Sequence, residues 1–559
     1  MTTATLNTDV RELRQHGQHT QTSAVLDDAH VGDIKGAFGT IALDGHGTGR
    51  GLSAKLKTLL AVVGPGLIVM VGDNDAGAFA TYGQAGHDYG TRLLWTLLLL
   101  IPVLYVNQEM VLRLGAVTGV GHARLIFERF GRFWGAFSVI DLFILNALTL
   151  VTEFIGITLA TGYLGLPKVP SVLMAALVIV AAAMTGSFQR FERIALALCA
   201  GSLLLIPISI MAHPGAVAMA HGFTTPALPG GSGHLTAVML LVIGIVGTTV
   251  APWQLFFQQS YVIDKRITPR FMKYEKADLC LGIGVVVAGA AATIGLGAVA
   301  AAHLPGPFTN ARDVARGLSA YGGRVLGDLF AVALLDASVI GAFAVSLSTA
   351  YAMGDCLKIN HSLHRGVKQA KGFYAVYAGI IALAATIVLV ASDHVQGVLT
   401  VGVQALAGVL LPSASVYLLL LCTDKAVLGP WANGRRTTAF TAAVIAVLVA
   451  LSLVLTGSVL KPDITAGQIE AILGACAAVT LAIGAGSGVK VLMARRAPGY
   501  VAEVIDRSGR EEWRTPPLAQ LGRAEFSRTR RVSLAVLRTY LAVATVLVVV
   551  KLVTMMFGH

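Results

Sequence analysis

Long apolar runs recur along this chain with only short connections between them, and they constrain its fold more than any motif does. A bilayer core takes about 20 apolar residues per helix. Thirteen runs of that order can be marked, near 56–86, 92–114, 136–165, 170–187, 192–212, 234–262, 277–302, 325–357, 372–392, 394–421, 437–457, 468–493 and 532–557. With 55% of its 559 residues hydrophobic and 13% charged, the sequence excludes a soluble globule. The expected class is an all-α polytopic membrane protein with about 12–13 transmembrane helices.

The formal net charge of +12 invites a nucleic-acid reading, which its placement excludes. Basic residues gather in every second connection: Arg124, Arg129 and Arg132; Arg190 and Arg193; Lys265, Arg266, Arg270 and Lys273; Lys358, Arg365, Lys368 and Lys371. By the positive-inside rule these loops are cytoplasmic, and so is the N-terminus, as in a bacterial-type plasma membrane. The connection near 213–233 has no Lys or Arg, whereas the one near 303–324 carries three Arg and fits less well. Residues 1–54 read as a disordered cytoplasmic tail whose histidines (His16, His19, His30, His46) are solvated. Residues 55–421 read as the core, 422–493 as additional transmembrane helices, 494–531 as a basic cytoplasmic loop against the anionic inner leaflet, and 532–559 as a C-terminal transmembrane helix. The five cysteines have no C-x-x-C spacing and read as small buried hydrophobes.

The first run carries Asp73 and Asp75 beside Gly64, Pro65, Gly66, Gly72 and Gly77. A charge at membrane depth costs about 2.5–3.5 kcal/mol on insertion scales, so its default reading is a substrate or ion site. Glycine and proline free backbone groups, which survive in a bilayer only where protein buries them or a cavity is lined. The sixth run has its own interruption at Gly244, Gly247 and Ala251-Pro252. Interruptions at corresponding places in two halves point to an inverted-repeat transporter with a midplane site. Ordinary glycine packing between helices is the plainer account of any one glycine, but it leaves Asp75 unexplained.

Gly64-Pro65-Gly66, Asp75-Ala76-Gly77-Ala78 and Gln84-Ala85-Gly86 align without a gap to the first-span pattern G-P-G, D-P-G-N, Q-A-G of the NRAMP divalent-metal transporters. Gly244-Ile245-Val246-Gly247 through Ala251-Pro252-Trp253 resembles that family's sixth span, and Gln404 with Pro412 its tenth. The resemblance covers roughly residues 55–430. It implies a LeuT-like 5+5 inverted repeat with broken first and sixth helices. By position it also implies Asp75 as the anchoring ligand, the carbonyls of Gly72 and Thr248, and Gln404 as a further ligand.

The departures fall on the ligands. The family's first-span Asn is Ala78 here and its sixth-span Met is Ala251, while Asp73 and Asn74 add oxygen donors upstream. Losing a thioether moves a site toward harder cations, and room for water suits magnesium. A branch of the family described as magnesium transporters also replaces the Met. The family's sixth-span histidines are Trp253 and Gln258, and of its third-span acid pair only Glu153 remains, as a proton-pathway candidate. The expected function is therefore secondary transport of Mg2+ or Mn2+, weakly coupled or uncoupled to protons, with no cofactor beyond the transported ion. The alternatives are a proton-coupled Mn2+/Fe2+ importer and a same-fold transporter of small organic solutes, whose carboxylate Asp73 and Asp75 would repel. No nucleophile-base pair, phosphate loop or H-E-x-x-H motif supports an enzyme.

Overall fold

The computed structural model describes residues 24–42, 51–229, 235–461, 464–496 and 506–524, with isolated positions between 534 and 550. Among the described residues the regular structure is helical except for one hairpin, β1 (Ile34–Gly36) paired antiparallel with β2 (Gly39–Ile41). The first half continues with α1 (Leu52–Val62), α2 (Pro65–Gly72), α3 (Ala76–Tyr89), α4 (Trp95–Thr118), α5 (His122–Phe130) and α6 (Arg132–Tyr163). It closes with α7 (Lys168–Ala183), α8 (Phe188–Gly201), α9 (Leu205–Ala212) and the short α10 (Ala216–Thr224). The second half holds α11 (Leu235–Thr249), α12 (Pro252–Asp264), α13 (Met272–His303), α14 (Ala311–Gly322), α15 (Arg324–Leu357), α16 (Lys371–Val390) and α17 (Asp393–Thr423). Beyond it lie α18 (Arg435–Leu460) and α19 (Ala466–Arg496).

Among the described residues ten helices are long and apolar enough to cross a membrane, or eleven when the pair α1–α2, bent by 49°, counts as one span. That is fewer than the thirteen runs marked on the sequence. The run at 170–187 forms the 16-residue helix α7, below the usual spanning length. The run at 532–557 lies largely outside the described residues. Proline and glycine explain the first break inside span one. Gly64 adopts φ 150°, a conformation open to glycine, and Pro65 then starts α2 at the position where its missing N–H costs nothing. The interior is built by α6 on α15, α3 on α13 and α11 on α17. α11 and α12 together are buried over most of their length, whereas α19 is largely exposed.

Residues 24–42, expected within a disordered tail, instead form a strap across the face that carries the basic loops. The sequence 34–41 alternates so that Ile34 and Ile41 turn inward against α1. Its ends are fixed by polar contacts to distant elements. Asp27 pairs with Arg365 and accepts the His361 amide at 3.1 Å, Arg266 donates to the Ala29 carbonyl at 2.9 Å, and the Ala37 amide donates to Glu192 at 2.6 Å. His30, expected to be solvated, is buried against His361. His16, His19 and His46 lie outside the described residues. Within the basic loop, Thr515 accepts the Ala24 amide at 3.2 Å and donates to the Val427 carbonyl at 2.8 Å, so this stretch packs on protein.

Candidate metal-ion site

The break between α2 and α3 is three residues long, Asp73-Asn74-Asp75, and it is buried: Asp73 is 0% exposed, Asn74 3% and Asp75 2%. Asp75 is the N-cap of α3, and its carboxylate accepts the Ala78 amide at 2.8 Å. The Ala76 amide, which would otherwise close a turn onto the Gly72 carbonyl, donates instead to Glu153 at 3.1 Å. The Gly72 carbonyl is thus left without its helical donor.

The sixth span is interrupted at Val250-Ala251, with Pro252 opening α12. Here the cause is covalent. The carbonyl of Thr248 would bond to the amide of residue 252, and proline has none. The Thr248 hydroxyl is also buried without a partner. Thr249 donates to the Ile245 carbonyl at 2.5 Å, so in its 2.7 Å contact with the Tyr82 hydroxyl it must accept.

Gln404, on α17, reaches the α3 side of the first break. A Cβ built on Gly77 would lie 1.8 Å from Gln404 Nε2 and 3.2 Å from Asp75 Oδ1. Gln404 Nε2 has no partner. Glu153 touches the same place: a Cβ on Gly341 would meet Glu153 Oε2 at 2.7 Å and Asp75 Cβ at 2.8 Å. The structure therefore brings Asp73, Asp75, Gln404 and Glu153 around the first break. Asn74 is not part of that group. Its amide donates to the Val286 carbonyl of α13 at 3.3 Å and borders a cleft of about 830 Å³ between α9 and α13. The middle residue of a three-residue break turns away from its neighbours, a direction the sequence could not supply.

Sequence reasoning passed over Gln254. Its amide donates to Asp73 Oδ1, while its own oxygen accepts from Gln108 of α4 at 2.7 Å. The signal was present, because a glutamine two residues after the sixth-span proline sits on the break. Glu192, beside Arg190 and Arg193 in sequence, is buried and bonded instead to Lys265 at 2.7 Å. Asp355 pairs with His361 at 3.1 Å. Glu109 and Arg113, one turn apart on α4, pair at 3.1 Å.

Chemically the break is an oxygen-rich, acidic niche. Neither Asp73 nor Asp75 has a Lys or Arg partner among the described residues. No three His, Cys, Asp or Glu side chains converge as a ready cage among them. A cation held here would be bound by carboxylate, backbone carbonyl, amide and water oxygens, a set suited to hard ions.

Two interrupted spans flanking a buried acidic turn, inside a polytopic helical bundle, define an integral membrane protein of the broken-helix transporter class. Residues 66–458 match the family model described as natural resistance-associated macrophage protein-like, and the chain belongs to this Nramp family. A divalent metal cation transporter, MntH, of Ralstonia nicotianae is 31% identical over 426 residues, covering 72% of this chain and 92% of that protein. The protein of the same name from Bacillus subtilis is 28% identical over 444 residues, covering 74% and 94%. Among solved structures, the Eremococcus coleocola manganese transporter in complex with an aromatic bis-isothiourea compound superposes with a TM-score of 0.58. It is 20% identical and covers 79% of this chain and 97% of its own, a likeness of fold.

Proposed function

We propose that this chain carries a divalent metal cation through the membrane, with Asp75 as the anchoring ligand and a hard, partly hydrated ion, Mg2+ or Mn2+, as cargo. The observation that carries this reading is the pair Asp73 and Asp75, both buried and without a basic partner among the described residues. Buried charge without compensation is strongly unfavourable, and a dication passing between them supplies what the fold does not. The Gly72 and Thr248 carbonyls and Gln404 complete the proposed oxygen set, with water in the places that Ala78 and Ala251 leave open. The relatives named as divalent metal cation transporters support the same substrate class.

Orientation follows the basic loops, which we place in the cytoplasm. Inward movement of a dication then gains about 4.6 kcal/mol per 100 mV, twice the single-charge value. With Trp253 and Gln258 at the family's histidine positions, transport down this gradient needs no proton. The contact of Glu153 with Asp75 favours a second reading, a proton-coupled manganese or iron importer.

Uptake into liposomes by wild type and Asp75→Ala tests the assignment. Loss of divalent-ion flux in the variant is expected, and undiminished flux would remove Asp75 from the site. A pH dye inside the same liposomes separates the two readings: acidification driven by the metal gradient would overturn uncoupled transport.

A further inference from the structure

A cavity of about 140 Å³ lies where the N-terminal strap meets the basic stretch 506–524, over the last turn of α4 and the residues that follow α12. Two guanidiniums, of Arg266 and Arg514, line it. Arg266 Nε and Nη1 donate to the Ala29 and Asp33 carbonyls at 2.9 and 3.2 Å, and Arg514 Nη1 donates to the Trp513 and Glu511 carbonyls at 2.9 and 3.3 Å. A guanidinium has five N–H donors, so three remain on each.

Neither arginine forms an ion pair among the described residues. Asp33 and Asp264 act on Arg266 only from beyond ion-pair distance, and Asp264 is bonded to Tyr351, Ser362 and the Leu363 amide. The charge that acts on Arg514 is the like charge of Arg270. Arg266 is nonetheless fixed in place: its φ is 67°, and it abuts Gly32, φ 137°, where a Cβ would stand 2.8 Å from Nη1. A cation entering this space would meet like charge.

His30 lines the same cavity, with 4% of its side chain exposed. Its Nε2 faces two acceptors, the His361 carbonyl at 3.2 Å and Asp264 Oδ1 at 3.7 Å, so this nitrogen carries the proton. Neither His361 nor Asp264 lines the cavity. The other ring nitrogen, Nδ1, is left as an acceptor and is buried without a partner.

Guanidinium donors beside one buried acceptor match an anion that also carries a hydroxyl, and a phosphate group, which claims the room of a few waters, fits the space. We infer that this cavity binds a soluble phosphate-bearing anion, inorganic phosphate or a small phosphate ester, through Arg266 and Arg514, with a hydroxyl of the ligand donating to His30 Nδ1. A soluble ligand suits the place better than a lipid headgroup, because α12, whose end forms one wall, is buried inside the bundle. Thr515, next to Arg514, already joins the basic stretch to Ala24 of the strap. An anion held between Arg514 and Arg266 adds a second tie and joins both to the end of α12. The site stands independently of the transport reading.

Hydrogen exchange of the full chain in phosphatidylcholine nanodiscs, near neutral pH and at constant ionic strength, tests it with inorganic phosphate as the probe. Protection of residues 24–42 should rise to saturation with phosphate in wild type and in Arg507→Gln, which removes a charge from the same stretch outside the cavity. Arg514→Gln should match wild type without phosphate and raise the half-saturating phosphate about tenfold, the loss of one charge-assisted hydrogen bond. Arg514→Lys, which keeps the charge, should retain part of the affinity. Sulfate has no hydroxyl near neutral pH and should bind more weakly than phosphate. A response that does not saturate, or that is the same in Arg514→Gln and Arg507→Gln, overturns the site. Equal binding of sulfate overturns the hydrogen bond to His30. Protection that comes with phosphatidic acid in the nanodisc, and not with inorganic phosphate, would give the cavity to a lipid headgroup and overturn the soluble ligand.

Discussion

Gly77 and Gln404 meet so closely that no side chain fits between them: a Cβ on residue 77 would stand 1.8 Å from the Gln404 amide nitrogen. One repeat's broken span thus receives an amide from the last span of the other. Gly77→Ala should push Gln404 off the first break, costing about 1–3 kcal/mol as an overpacked site does. Thermal unfolding should show the loss, and ion uptake should show a raised half-saturation. Adding Gln404→Ala should restore the melting temperature without restoring affinity. If the double variant regained both, Gln404 would have no part in holding the ion.

The strap should detach at both ends of the pH scale. Burial would raise the Asp27 carboxyl, but hydrogen bonds from Arg365, the His30 charge and the Ala29 amide outweigh it and hold the group at about 2, below its ordinary 3.8. Burial would lower His361, yet the Asp355 carboxylate pushes it up to about 9 from 6.5. A depressed acid contributes its stability above 3.8 and loses it as pH falls through about 2. A raised histidine contributes fully below 6.5 and loses it as pH rises through about 9. Hydrogen-exchange protection of residues 24–42, taken relative to free amides at the same pH, should therefore be greatest between those windows, near pH 4–6.5, and should fall above about 9. Arg365→Met should shift the acid-side loosening upward in pH. Protection that stayed flat across this range would contradict the assigned contacts.

Restoring sulfur at the sixth-span break should soften the site. Ala251 is the N-cap of α12, buried next to the freed Thr248 carbonyl. Ala251→Met should raise competition by cadmium and manganese relative to magnesium, since thioether favours the later metals. Ion-competition uptake measures this directly, and an unchanged order of preference would refute the softness argument.

The Glu192–Lys265 pair has both side chains at 0% exposure. Lys265→Met leaves Glu192 buried and uncompensated, and breaking such a pair costs about 3–5 kcal/mol. The melting temperature should fall steeply. Replacing Glu192 by Gln in the same chain should recover much of it, because the carboxamide still accepts the Ala37 amide. A mild effect of Lys265→Met alone would mean that water reaches the pair.

What the sequence made legible was whatever depends on chemistry a few residues apart. Pro252 removes a hydrogen bond four residues back whatever the surroundings, so the freed Thr248 carbonyl could be expected from the letters alone. The cap that Asp75 makes on α3 is equally local, but the sequence was read there only for an ion ligand. Contacts between distant positions were not legible. Gln254 finds Asp73 across 181 positions, and Lys265 finds Glu192 across 73. Nothing local distinguishes them from solvated neighbours. Asn74 failed differently: it stands between two site carboxylates in sequence, but a short break points successive side chains in unrelated directions. His30 was misread because a polar, glycine-containing tail looks unable to bury anything, and its burial is supplied by the loop around His361.

The two halves of the proposed ion niche differ in how mutation can reach them. A single codon alters Ala78, Ala251 or Gln404, but no substitution at position 248 deletes its backbone oxygen, and Pro252 denies that oxygen a helical donor whatever residue precedes it. The carbonyls form a fixed floor, and the side chains above it are exchangeable fittings. A lineage can retune which ion it carries through two or three side chains while leaving the interrupted backbone, the costly part to rebuild, untouched.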